Sequence, residues 1–211
     1  MMYRGVIFDL DGTLADTELL WKTAKAGVLR AHGYSPNDHW IEVKGGSLPA
    51  TALALGEMLP GVPAAQWEAE LLCLLRARLN DSTVRPMPGA RDLVSGLRQA
   101  GIAAGVASNS PAELVLEVLK LIGIEVAAAV GIAPPLSPKP RPDVYLEACR
   151  QLRLTPAEAM AVEDSDIGVR AARLAGLRVV AVGKGVTEPA DRTIPSLTAG
   201  LPIFDGVGHG A

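Results

Sequence analysis

Cysteine, histidine, surplus positive charge and long apolar runs are all scarce in this 211-residue chain. The two cysteines, Cys73 and Cys149, lie far apart in predicted helices and are read as reduced, packed thiols. The three histidines, His32, His39 and His209, form neither a cluster nor a helical pair, so they are read as surface or packing residues. Lysine and arginine total 20 against 23 aspartates and glutamates, interspersed along the chain. No basic stripe results, and nucleic acid is not an expected partner. A mild negative balance still permits an anionic substrate, provided that the positive field is local. The greasiest stretch, 121–136 (LIGIEVAAAVGIAPPL), is interrupted by Glu125, Gly123 and Gly131 and ends in prolines, so it is too short to cross a bilayer. The opening MMYRGVIFDL has no cationic region, apolar core and small-residue cleavage site in succession. The expectation is a cytoplasmic chain with no membrane partner, acting as a monomer or weak homodimer. No internal repeat is visible.

What is present is ordinary globular material. Apolar residues make up 49% and charged residues 20%, and the length suits one large or two small domains. From residue 89 onward, helical and apolar strand-like segments alternate. Helix-like 89–100 precedes the apolar run 102–107, and helix-like 111–122 precedes 125–131. The segment 142–152 precedes 158–163, and 166–175 precedes 178–183. With the run 4–10 at the start, this predicts right-handed crossovers and a parallel sheet covered on both faces, since doubly buried strands read as continuous apolar runs. Residues 16–83 break the pattern. They show helical periodicity over 17–31, 49–58 and 64–79 and hold all three tryptophans, Trp21, Trp40 and Trp67. The flanking Asp16-Thr17 and RPMPG (85–89) suit a two-strand hinge.

Ligands of parallel sheets sit beyond the carboxyl ends of the strands. Asp9, Asp11 and Thr13 follow the first run, and Ser108 and Asn109 follow the second. Lys139 follows the third, and Glu163, Asp164 and Asp166 follow the fourth. Four strand ends thus supply one site. Asp9 and Asp11, on the same side of an extended chain, join Asp164 in a hard-oxygen cluster of the kind magnesium prefers. A cation there relieves their repulsion and keeps Asp9 ionised as a nucleophile. Asp11 can protonate a departing oxygen and later activate water. Ser108 and the backbone near Asn109 can donate to a phosphate, and Lys139 offers it a point charge. Taken alone, Ser108-Asn109 would read as a helix cap and Asp166 as a cap of the next helix. The prolines of 134–142 are read as a stiff loop that positions Lys139.

The segments FDLDGTLADTE, VASNS, SPKPRPDVY and VEDSDIGV resemble, in order and spacing, the four motifs of the haloacid dehalogenase superfamily, in its branch with a helical cap. The resemblance spans essentially the whole chain. It implies an α/β fold: a Rossmann-like, doubly wound parallel-sheet core (residues 1–15 and 84–211) with an inserted helical cap domain (16–83). It also implies Asp9 as nucleophile and Asp11 as general acid/base. Mg2+ would be held by the Asp9 side chain, the Asp11 carbonyl and Asp164, with Glu163 close by, and phosphate by Ser108, Asn109 and Lys139. The cap would offer Asp16, Glu18, Lys44, Gly45 and Ser47 to the substrate. Dehalogenases of the superfamily lack the second aspartate and phosphonate-cleaving members carry alanine there, so Asp11 argues against both. KGGS (44–47) and EDS (163–165) are similar to beta-phosphoglucomutases, but Trp21 and Leu48 stand where those carry histidine and arginine. A phosphatase acting on a small-molecule phosphate ester is therefore expected, ahead of a mutase or a non-catalytic phosphate-binding module.

Overall fold

The computed structural model describes residues 3–37, 46–59, 61–80 and 84–201. Lys44 and Gly45, with Trp40, His39 and His209, lie outside the described residues.

The first apolar run forms β1 (Gly5–Phe8), and a two-residue strand β2 (Ala15–Asp16) follows. Then come α1 (Glu18–Ala31), α2 (Leu48–Met58) and α3 (Ala64–Asn80). The chain returns through β3 (Arg85–Pro86), which pairs antiparallel with β2, Ala15 facing Pro86 and Asp16 facing Arg85. From there strands and helices alternate: α4 (Ala90–Gln99), β4 (Ala103–Pro111), α5 (Ala112–Ile122) and β5 (Ala128–Ile132). They continue as α6 (Asp143–Leu152), β6 (Ala159–Glu163), α7 (Asp166–Leu174), β7 (Arg178–Val182) and β8 (Arg192–Ile194).

The main sheet has the order β5-β4-β1-β6-β7-β8, with every pairing parallel. β1 is central, with β4 on one flank and β6 on the other, so the strand order reverses beside it. That reversal opens a crevice at the carboxyl edge of β1. Alternation along the strand separates two cores. Val6 and Phe8 pack with α4 and α5, whereas Ile7 packs with α6 and α7. The helices between β2 and β3 bury a stripe of their own, including Trp67, Leu71, Leu75 and Leu79 on α3 at four-residue spacing, and this stripe joins the first core. Among the described residues, no helix is long and apolar enough to cross a membrane.

Three sequence expectations shift. The second strand extends past residue 107 to Pro111 through an irregularity in its pairing with β5. Ser108, Asn109 and Ser110 therefore lie within a bulged strand end, and α5 begins at Ala112 without a side-chain cap. β8 is too short to show a period. Cys149 is buried as expected, but Cys73 is exposed on α3 and is not a packed thiol.

The bulge needs Gly131 on the neighbouring strand. A Cβ at that position would lie 2.6 Å from the Ser110 carbonyl oxygen and 2.6 Å from the Ala112 Cα, both backbone atoms. Gly131→Ala should therefore lower stability by about 1–3 kcal/mol in urea unfolding. An unchanged midpoint would show that this strand end yields freely.

Candidate active site

Asp9 extends the central ladder by one residue, its N–H donating to the Val162 carbonyl at 2.9 Å. Its carboxylate stands at the carboxyl edge of the sheet. Lys139, carried on the loop after β5, is buried there, and its Nζ lies 2.6 Å from both Asp9 Oδ1 and Glu163 Oε1. The loop is fixed by a side chain that mimics a strand neighbour. Asn109 Oδ1 accepts from the Lys139 N–H at 2.7 Å, and Asn109 Nδ2 donates to the Lys139 carbonyl at 3.4 Å. The lysine expected from sequence at this strand end thus lies between two buried carboxylates.

Glu163 is held on both oxygens. Oε1 also accepts from the Tyr145 hydroxyl at 2.6 Å, and Oε2 accepts from Ser165 Oγ at 3.1 Å. Ser165 doubles as the N-cap of α7, accepting from the Gly168 N–H at 3.3 Å. Gly168 is small for a reason: a Cβ there would fall 2.0 Å from the Glu163 carboxyl. Gly12 has a φ of +91°, and its missing Cβ would meet Asp164 Oδ2 at 2.5 Å, so the Asp11-Gly12 turn and Asp164 can close on each other.

Asp11 is held differently. Oδ1 accepts from Thr17 Oγ1 at 2.7 Å and from Trp21 Nε1 at 3.2 Å, while Oδ2 accepts from Ser108 Oγ at 3.1 Å and Ser110 Oγ at 2.8 Å. Two donors come from the start of α1 and two from the bulge of β4. Thr17 occupies the N-cap position of α1 yet makes no cap bond, because its hydroxyl serves Asp11.

Burial pushes the Asp9 carboxyl well above the usual carboxylate range. Lys139 opposes this, and the negative charges of Glu163, Asp164 and Asp11 add to it. Burial also pulls Lys139 down, but Asp9 and Glu163 outweigh it and hold its ammonium above the ordinary lysine value. Tyr145 is raised by burial and then by the Glu163 charge, so it stays a phenol and a donor.

One buried oxygen, Asp9 Oδ2, has no hydrogen-bond partner. Asp9, Glu163 and Asp164 each present a carboxylate oxygen within 4.8 Å of the others. An orphaned anionic oxygen among hard oxygen donors fits a divalent cation such as magnesium. Since Glu163 is already committed on both oxygens, Asp9 and Asp164 are the better direct donors.

Asp9, Asp11, Asn109, Lys139 and Asp164 line a cavity of about 420 Å3 together with Glu18, Lys22, Lys25, Gly46 and Thr51. Of the cap residues proposed from sequence, Glu18 lines this cavity, as does Gly46 beside the KGGS serine. Ser47 is buried and caps α2, accepting from the Ala50 N–H at 3.2 Å. Asp16 is exposed in β2 and does not line the cavity. Asp166 holds the segment after β7, accepting from Thr187 and Glu188 N–H at 2.6 and 2.8 Å. Sequence reasoning did not connect Tyr145, Ser110, Thr17 or Trp21 with the carboxylates that they bind. Tyr145 carried a signal, since a phenol on the buried face of a helix needs a partner for its hydroxyl.

The sequence profile described as "Haloacid dehalogenase-like hydrolase" matches residues 6–182. The chain is 28% identical over 196 residues to N-acetylmuramic acid 6-phosphate phosphatase of Pseudomonas aeruginosa, covering 90% of this chain and 86% of that one. It is 30% identical over 210 residues to hexitol phosphatase B of Escherichia coli, covering 91% of each. The crystal structure of CbbY from Rhodobacter sphaeroides in complex with phosphate superposes with a TM-score of 0.77 at 26% identity, over 92% of this chain and 95% of that one.

Tyr145→Phe removes only the hydroxyl that supports Glu163. It should cost about 1.5–3 kcal/mol, the range for a hydrogen bond to a charged group, read from denaturant unfolding at neutral pH. A neutral result would show that Glu163 needs only Lys139 and Ser165.

Proposed function

The chain belongs to the haloacid dehalogenase-like hydrolases, and from that premise we propose a magnesium-dependent phosphatase that hydrolyses a small phosphomonoester through a phosphorylated Asp9. The observation that carries this reading is Asp9 itself. It is a buried carboxylate with one oxygen held by Lys139 and the other orphaned, at the floor of a cavity with a second aspartate two residues on.

Asp9 would attack phosphorus as the bond from phosphorus to the substrate's oxygen breaks. Asp11 would give that oxygen its proton. In the second half Asp11 takes a proton from water, the water oxygen bonds to phosphorus, the acyl-phosphate bond breaks, and inorganic phosphate leaves with Asp9 restored. The hydroxyls of Thr17, Ser108 and Ser110 suit both halves, because a hydroxyl can donate to a carboxylate and accept from a carboxylic acid. The Lys139 ammonium would neutralise phosphoryl oxygens beside Asp9, with Ser108 and Asn109 completing the phosphate cradle. Asp9, Asp164 and the Asp11 carbonyl would hold Mg2+, which when bound supplies positive charge to the phosphoryl group and keeps Asp9 ionised.

We further propose that residues 16–83 act as a cap over a core of 1–15 and 84–211, hinged at the β2–β3 ribbon. Thr17 and Trp21 already touch Asp11 from α1. A closed cap would exclude water and admit small substrates, which favours a sugar phosphate or phosphorylated organic acid over a phosphoprotein. Relatives named for N-acetylmuramic acid 6-phosphate and hexitol phosphates support that size class. A mutase would need a clamp for a second phosphate. Leu48, where the mutase pattern places arginine, is buried among the helices instead.

The test is magnesium-dependent release of phosphate from p-nitrophenyl phosphate, with chelation abolishing it. Asp9→Asn should lower turnover by roughly a thousandfold or more, and normal turnover in that variant would end the proposal. Asp11→Asn should lose about 10²–10⁴-fold on alkyl phosphates but much less on p-nitrophenyl phosphate, whose leaving group needs little protonation. Equal losses on both would place the acid elsewhere.

A further inference from the structure

Trp21 stands where the cavity wall meets the chemistry. Its indole N–H donates to Asp11 Oδ1 at 3.2 Å, and the side chain lines the cavity beside that carboxylate. The N–H is the one polar group of a tryptophan side chain, and it is a donor only. With that edge turned to Asp11, what the indole offers the cavity is carbon. The ring also packs against the first core, so it is held in place before any ligand arrives, and little order has to be imposed on it by binding.

The rest of the wall is polar. Among the described residues that line the cavity, Trp21 alone carries a large uncharged carbon surface; the others are glycines or have hydroxyl, amide or charged side chains. Glu18 and Lys22 flank it on the same helix and are ion-paired with each other. Such a pair offers a ligand donors and acceptors without net charge, and a hydroxyl, which is both, meets either. A ligand that covers the indole with C–H and meets Glu18 and Lys22 with O–H is a carbohydrate. Position points the same way. The leaving oxygen has to reach Asp11, to which Trp21 is bonded, so the carbons next to that oxygen are those that lie against the indole. A one- or two-carbon alcohol is too short to cover it, whereas a sugar brings its ring there. The cavity, at about 420 Å3, stands near the lower end of the roughly 300–1,000 Å3 of small-molecule sites, which suits a pentose or hexose.

We propose that Trp21 is a specificity-determining residue, an aromatic platform for the C–H face of a neutral pentose or hexose phosphate. Such sugars are then preferred to short phosphorylated acids. This rests on the phosphatase reading above and narrows it. The hydrogen bond to Asp11 and the contact with the sugar are two functions of one side chain, and substitution separates them.

Trp21→Phe keeps a ring and loses the donor, whereas Trp21→Gln keeps an N–H donor and loses the ring. The substrates are glucose 6-phosphate, mannose 6-phosphate and ribose 5-phosphate, each measured against ethyl phosphate. All release a primary alcohol, so the demand on Asp11 is shared and cancels in the ratio of kcat/KM for sugar over ethyl ester, as does any loss of folded protein. The parent enzyme should favour at least one sugar by about tenfold or more, the equivalent of about 55 Å2 of apolar surface taken from water. Trp21→Phe should slow both members of a pair and keep most of the ratio. Trp21→Gln should bring the ratio close to one, through KM. A parent ratio near one for every sugar, a ratio that survives in Trp21→Gln, or a ratio lost equally in both variants would each overturn the platform. So would faster turnover of 3-phosphoglycerate or pyridoxal 5'-phosphate than of every sugar phosphate. If the parent cleaves ethyl or p-nitrophenyl phosphate in those cases, only the platform falls. If it cleaves no ester with magnesium present, the phosphatase reading falls and takes the platform with it.

Discussion

The Lys139 ammonium between Asp9 and Glu163 is the contact on which the rest of the site depends. Three charges are removed from water at one point, and each carries a desolvation cost of several kcal/mol. Such a cluster persists only where the remaining donors and acceptors are satisfied. Tyr145 of α6, Ser165 at the cap of α7 and Asn109 in the β4 bulge supply those bonds. The loop that carries Lys139 is thereby tied to β4, and Glu163 to two helix starts, so the electrostatics of the centre and the packing of the sheet edge are one structure. What the cluster leaves over is negative: an orphaned Asp9 oxygen facing Asp164. The same imbalance that raises Asp9 when nothing is bound makes the position attractive to a cation.

Asp11 has a different physical role, as the junction between the helices of 18–80 and the sheet. Its four donors come equally from α1 and from the β4 bulge. Movement of the helical segment would change two of those bonds and leave two in place. The ribbon of β2 and β3, only two residues per strand, is the narrow link through which both chain passages run. In the cap movement proposed above, this link is where the flexing would fall. A moving α1 would carry Thr17 and Trp21 together, linking access to the cavity with the hydrogen bonding of Asp11.

Much of this was legible in one dimension. The strands of the doubly covered sheet read as apolar runs, and the helices as periodic segments between glycines and prolines, to within a residue or two for most elements. Asp9, Asp11, Ser108, Asn109, Lys139, Glu163 and Asp164 were visible as polar residues immediately after those runs, because a parallel sheet gathers its strand ends at one edge. Less legible were the groups whose role depends on a partner far away in sequence. Ser110 follows a pair that alone would read as a helix cap, and only the bulge in β4 turns its hydroxyl toward Asp11. Tyr145 lies on the buried face of α6, and nothing along the chain joins its hydroxyl to Glu163. Asp16 and Ser47 went the other way: one is exposed in the ribbon and the other is spent on capping α2.

The sequence by itself determined the order of elements, the sheet class and which residues stand at the strand ends, because these follow from local periodicity and chain direction. Only the tertiary structure decided which charges pair, which oxygen is left without a partner and which helix face closes the cavity. Those outcomes depend on distances between residues about 100 or more apart, such as Lys139 and Asp9 at 2.6 Å or Ser110 and Asp11 at 2.8 Å. Electrostatic energy in a dry interior changes steeply over such distances, and no pattern along the chain encodes them.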